Sequence, residues 1–186
     1  MGLKITFAKN EDIQGILNVF NELSINNRIK LNENLSENGF LVYPITKNDL
    51  EGIIKNKKNI LLVAKHNTKI IGYALAYDIF EWMKLKPTWE NKLKLNKLYS
   101  TKLFNKNMVY FRQVGRLSGY KGVGIKLEER LFEIIKERGY HRIIAEIAQY
   151  PKNIISQKVH KARGFIKVGT IEYGDSIIWG VYIKDI

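Results

Sequence analysis

Apolar positions after Asn10 recur at helical spacing. Ile13, Ile16, Leu17, Phe20 and Leu23 share one face, with Asn10 where a helix cap belongs. A short run from Ile5 to Ala8 precedes them and reads as a strand. Polar residues from Ser24 to Asn38 break the pattern. Thr46 and Asp49 then stand at capping-box spacing ahead of Leu50, Ile53 and Ile54, predicting a second helix. The runs NILLVAK from Asn59 and KIIGYALAY from Lys69 are rich in branched apolar residues. Separated by His66-Asn67-Thr68, they read as a β-hairpin. From Glu81 to Asn107 the chain is lysine-studded around Trp82, Trp89, Tyr99 and Phe104, a long and partly helical connection. Met108 to Leu117 resumes as a strand.

The next segment is the most sharply punctuated. Gly119-Tyr120-Lys121-Gly122-Val123-Gly124 forms a loop, and a helix with Leu127, Leu131, Ile134 and Ile135 inward opens from it. Gly139 sits where a left-handed residue would stop that helix. Arg142 to Ala148 is a strand, and Pro151-Lys152-Asn153 turns into a shorter helix ending at Gly164. Phe165 to Glu172 and Ile177 to Ile183 close the chain as a hairpin about Gly174-Asp175. The expected order is β-α-α-β-β-β-α-β-α-β-β. It implies one α/β domain over residues 1–186: a mixed, mostly antiparallel sheet of about seven strands with helices on both faces.

Composition narrows the chemistry. The chain of 186 residues has no cysteine, which excludes disulfides and thiolate catalysis, and its three histidines are scattered. It carries 31 Lys and Arg against 18 Asp and Glu, a formal charge of +13, which favours an anionic partner. The first residues do not read as a signal peptide, and no apolar run reaches the ~18 residues needed to span a membrane. A cytoplasmic protein without membrane attachment is expected.

The glycine loop is the first candidate site. Gly122 and Gly124 let backbone amides approach a ligand at a helix N-terminus, which suits phosphate, and Lys121 and Lys126 add positive charge. A third glycine for a dinucleotide fingerprint is missing, since position 127 is Leu127. A Walker A loop is excluded too.

GYKGVG, followed by NIISQKVHKARGF, resembles the GNAT superfamily of acyl-CoA N-acyltransferases. Gly122 and Gly124 match its pyrophosphate loop, although Gly119 replaces the usual Arg or Gln. Asn153 matches its cofactor-contacting Asn, Ser156 a small polar position by the pantetheine arm, and Gly164-Phe165 closes the second motif. His160 stands where the family usually has Tyr. With Gly169 beyond it, this is similar to the phosphinothricin and amino-acid N-acetyltransferase branch, although Val109 occupies that branch's carboxylate position.

The resemblance implies an acetyl-CoA-dependent N-acetyltransferase with direct attack by an amine in a ternary complex. Coenzyme A would lie against Gln113, Val114 and Arg116, its pyrophosphate against Gly119, Tyr120, Lys121, Gly122, Val123, Gly124 and Ile125. Asn153 and Ser156 would lie beside it. The Val114 N–H would hold the developing oxyanion, and His160 would give a proton to the leaving thiolate. Glu146, Asp78 and Glu81 are candidate bases, none backed by a motif. Glu146 also reads simply as the exposed face of a strand, and Asn153 as a helix cap. The acceptor amine is not legible, and both monomer and homodimer fit the sequence. The competing function is a basic nucleic-acid-binding module, but no aromatic RNA-binding motif, zinc-finger spacing or helix-turn-helix supports it. A third reading is a coenzyme A binder without catalysis.

Overall fold

A computed structural model describes residues 2–35, 39–99, 107–174 and 176–186. Its eight strands are β1 (Leu3–Phe7), β2 (Ile60–His66), β3 (Lys69–Asp78), β4 (Lys94–Leu95), β5 (Met108–Arg116), β6 (Arg142–Tyr150), β7 (Ile166–Glu172) and β8 (Ile178–Asp185). They form one sheet in the order β1-β2-β3-β5-β6-β8-β7-β4. Every neighbouring pair is antiparallel except β5 with β6. The mixed, mostly antiparallel sheet is the one expected from the sequence, with the two-residue β4 added at an edge.

Seven helices are present among the described residues: α1 (Ile13–Leu23), α2 (Ile25–Lys30), α3 (Lys47–Lys55), α4 (Ile79–Leu85), α5 (Trp89–Lys92), α6 (Val123–Glu137) and α7 (Ile154–Ala162). α1 buries Ile13, Ile16, Val19 and Phe20. Its entry differs from expectation: Asn10 opens a short 3₁₀ turn, and Asp12 accepts the Lys9 N–H at 3.0 Å. Thr46 and Asp49 form the capping box of α3, with the Asp49 N–H on Thr46 Oγ1 at 3.1 Å and the Thr46 N–H on Asp49 Oδ2 at 2.8 Å. α2 arises within the polar stretch, capped by Ser24, and the residue it buries is Arg28.

Glycines show which faces α1 and α6 cover. A Cβ on Gly115 of β5 would meet Leu23 of α1, whereas one on Gly72 of β3 would approach Leu127 and Val123 of α6. The two helices therefore cover opposite faces of the sheet. Trp82 and Trp89 are buried under the connection between β3 and β5, Trp82 stacked on Tyr110 with centroids 3.9 Å apart. Residues 100–106 of that connection lie outside the described residues, as does Asp175 of the closing hairpin. No helix of the described residues is long and apolar enough to cross a membrane. Nor do they hold a group of three His, Asp or Glu suited to a metal ion.

β4 docks on β7 because Gly169 admits its backbone. A Cβ there would stand 2.5 Å from the Lys94 carbonyl oxygen. Gly169→Ala should displace β4 and destabilise the fold by about 1–3 kcal/mol in a urea titration, the usual range for overpacking.

Candidate active site

The site begins where β5 and β6 part. Their parallel pairing runs from Met108–Arg142 to Phe111–Ala145 and stops there. At the same point β5 carries a bulge, Arg112 being the extra residue against Leu75 and Ala76 of β3. Beyond the bulge, the Leu117 N–H donates to the Ile71 carbonyl at 2.8 Å. Antiparallel alternation then turns the backbone groups of Gly115 and Gln113 toward β3. Those of Val114 and Arg116 face the gap. A cavity of about 680 Å³ fills the gap and is lined from both faces of the sheet. Val114 and Arg116 thus turn their backbone groups into the cavity. Gln113 reaches the wall, but its amide donates to Tyr73 Oη at 2.6 Å.

The glycine loop closes one end. Gly122, with φ +80°, is the N-cap of α6, and a Cβ on Gly122 or Gly124 would meet nothing within 4 Å. The first helical bond at this end runs from the Lys126 N–H to the Gly122 carbonyl at 3.1 Å. The first-turn amides of Gly124 and Ile125 precede it. Gly122, Gly124 and Ile125 line the cavity, whereas Gly119, Tyr120, Lys121 and Val123 do not. Val123 is buried beneath α6, and the Tyr120 ring lies 5.8 Å from that of His66.

Asn153, Ser156 and His160 come to the wall from α7. Asn153 caps that helix: its Oδ1 accepts the Ser156 N–H at 3.2 Å, and its Nδ2 donates to the Phe40 carbonyl at 3.2 Å. His160 is 7% exposed, its ring 5.7 Å from Phe111 and 4.8 Å from Phe165. Burial among those rings lowers its pKa to about 4. Its Nδ1 lies 2.8 Å from the Ser156 carbonyl oxygen. A carbonyl only accepts, so the ring proton sits on Nδ1 and Nε2 keeps its lone pair. Burial thus disfavours a protonated imidazole and the ring proton is turned toward Ser156, both of which oppose the general-acid role expected of His160.

The opposite face holds a carboxylate. Glu146 of β6 accepts hydrogen bonds from Trp89 Nε1 at 2.6 Å and from the Tyr173 hydroxyl at 2.8 Å. Burial raises its pKa, and these donors oppose the rise. Reading it as a solvent face missed the aromatic lid. The other candidate bases are engaged elsewhere: Asp78 caps α4 and accepts the Tyr140 hydroxyl at 3.0 Å. Glu81 pairs with Lys84 at 2.8 Å.

Three further residues at this end carried no signal in the sequence: Arg112, Tyr43 and Trp179. The Tyr43 ring stacks on Trp179 at 5.3 Å, and the Arg112 guanidinium stands 5.9 Å from the Tyr43 centroid and 5.4 Å from that of Trp82. The bulge that places Arg112 leaves no trace in an apolar pattern.

No curated protein sequence matches the chain. The N-acetyltransferase from Staphylococcus aureus Mu50 superposes with a TM-score of 0.65 at 20% identity, over 100% of this chain and 99% of that one. The PaiA N-acetyltransferase from Thermoplasma acidophilum, crystallised in complex with coenzyme A, does so at 0.64 and 15%, over 100% of both chains. The ribosomal-protein-S18-alanine N-acetyltransferase from Escherichia coli gives 0.67 and 10%, over 100% and 94%. These likenesses show a shared fold. The model of the acetyltransferase (GNAT) family matches residues 30–165, and the chain belongs to that family.

Proposed function

We propose that the chain transfers an acetyl group from acetyl-CoA to an acceptor's primary amine, both held in the cavity across the β5–β6 gap. The observation that carries this reading is a backbone cradle facing a half-buried carboxylate. The turned groups of Val114 and Arg116 and the open amides of Gly124 and Ile125 lie in one cavity with Glu146.

The residues present suit coenzyme A. Val114 and Arg116 offer backbone groups to an amide-bearing arm, and the amides at the α6 N-terminus suit a pyrophosphate. Acetyl-CoA supplies an acyl carbonyl activated by its thioester. The Val114 N–H donates toward that carbonyl oxygen and stabilises the charge that develops there. Glu146 takes the proton from the acceptor's ammonium, so that a neutral amine attacks. Its raised pKa brings it nearer the range in which a base works at neutral pH. The leaving sulfur departs as a thiolate without help from His160.

Gly124→Val tests the cradle. The space in front of Gly124 is open, so the variant folds, but its side chain fills the approach to the amides. Coenzyme A should raise the melting temperature of the wild type by mass action. For the variant, its affinity should be weaker by roughly 10- to 100-fold, the scale of a lost charge-assisted hydrogen bond. Equal stabilisation of the two proteins would overturn the assignment.

A further inference from the structure

The Tyr43 end of the cavity holds two buried donor atoms without a hydrogen-bond partner, Arg112 Nε and Trp179 Nε1. Among the described residues, the buried side-chain atoms without a hydrogen-bond partner are Arg28 Nε, Asn59 Oδ1, Trp82 Nε1, Arg112 Nε and Trp179 Nε1. Four of these are donors, and Arg28, Arg112 and Trp179 line the cavity. Buried donors are normally paired, so unpaired ones that line a cavity, as Arg112 Nε and Trp179 Nε1 do, call for an acceptor-rich group. Trp179 is 8% exposed, and its ring and the Arg112 guanidinium both lie against Tyr43.

Charge points the same way. No carboxylate among the described residues lies within 4.0 Å of Arg112. Glu146 is the carboxylate at this end; it is held by Trp89 and Tyr173 and feels the Arg112 charge without forming an ion pair with it. Two more cations stand over the same aromatic group: Lys86 Nζ is 5.9 Å from the Tyr43 centroid and Lys92 Nζ 5.7 Å from that of Tyr173. An acceptor with a second ammonium would meet Arg112 and two lysines. One with an anionic oxygen group would neutralise the guanidinium and satisfy the indole N–H together.

We propose that the acceptor is an amine bearing an anionic oxygen group, a carboxylate or a phosphate, which Arg112 and Trp179 bind while Glu146 receives the proton of its ammonium. The inference rests on the acetyltransferase reading and deepens it. Arg112 and Trp179 are then the residues that set specificity. The Arg112 fork offers two parallel donors to such a group, and Trp179 adds a third from the side wall.

The test is an acetylation screen by thiol release from acetyl-CoA, using matched probes. Free amino acids are set against their amides, and phosphoethanolamine and glucosamine 6-phosphate against ethanolamine and glucosamine. Spermidine and a lysine-rich peptide form a cationic arm. The anionic members of one or both pairs should be preferred by roughly 10- to 100-fold in kcat/KM, the scale of a charged hydrogen bond. Which pair shows the preference separates carboxylate from phosphate. Arg112→Gln should collapse that ratio toward one. Trp179→Phe, which keeps an aromatic ring against Tyr43 but removes the indole N–H with its fused ring, should reduce it severalfold and guards against misfolding of the first variant. Equal rates within every pair, or acetylation confined to the cationic arm, would overturn the inference and leave the acetyltransferase reading standing. Thiol release with none of the probes would overturn both.

Discussion

Glu146→Gln should lower turnover by roughly 100- to 10,000-fold at neutral pH, the span for removing a positioned base. The amide keeps the size of the carboxylate and an oxygen for the Trp89 N–H, and the Tyr173 hydroxyl can rotate to accept from the new NH2. Packing is therefore preserved, and the loss falls on proton transfer. Coenzyme A affinity should change little, since its cradle is backbone on β5 and α6. Burial raises the Glu146 pKa, so the protonated, inactive form persists to higher pH than for an ordinary glutamate. Activity should thus rise with pH on the acid side as Glu146 ionises, and that limb should vanish in the variant. Steady-state rates across pH check both points. Wild-type turnover in the variant would remove Glu146 from the chemistry.

His160→Phe should separate two roles that the sequence alone merges. In the folded protein the imidazole has a pKa of about 4, against an ordinary value near 6.5. Between those values the unfolded chain binds a proton that the folded chain refuses. Stability therefore rises with pH across this window and is lost as pH falls from 6.5 toward 4. The full difference is about 3 kcal/mol. Phenylalanine fits between Phe111 and Phe165 without titrating, so its stability should fall less on acidification. Subtracting the two curves cancels groups common to both, including Glu128, whose pKa burial raises to about 7 and whose contribution has the opposite sign. Denaturant titrations at pH 4, 5, 6 and 7 provide the comparison. Turnover should stay within about tenfold of wild type, below the usual effect of losing a general acid. A thousandfold loss with the fold intact would restore His160 as a proton donor.

Strands and helix stops were legible because local rules write them. Branched apolar runs mark β2 and β3, and Gly139, with φ +77°, ends α6 as expected. α2 was not legible because the side chain it buries is a charged one, Arg28, paired with Glu33. β4 escaped because two residues carry no period, and its place is set by the missing side chain of Gly169. The loop at the α6 N-terminus could be read from glycines at fixed spacing. The surroundings of Glu146 could not, because it alternates like any strand residue. The groups that cover it, Trp89 and Tyr173, come from 57 and 27 residues away. His160 shows the limit from the other side. A motif located the residue, but its protonation is decided by Phe111 and Phe165, which meet it only in the folded chain.

The cavity crosses the sheet, and its two ends are made of different material. Toward α6 it is built from main chain, which all amino acids share, with glycine required only where the chain must leave room. Toward Tyr43 and Trp179 it is built from side chains, which a single codon replaces. Inheritance can therefore act on the two ends independently. On the proposed reading, a lineage can exchange Arg112, Tyr43 or Trp179 and take up a new acceptor while the machinery for the donor passes down unaltered. Such a division explains how one fold persists in proteins only 10–20% identical to this one.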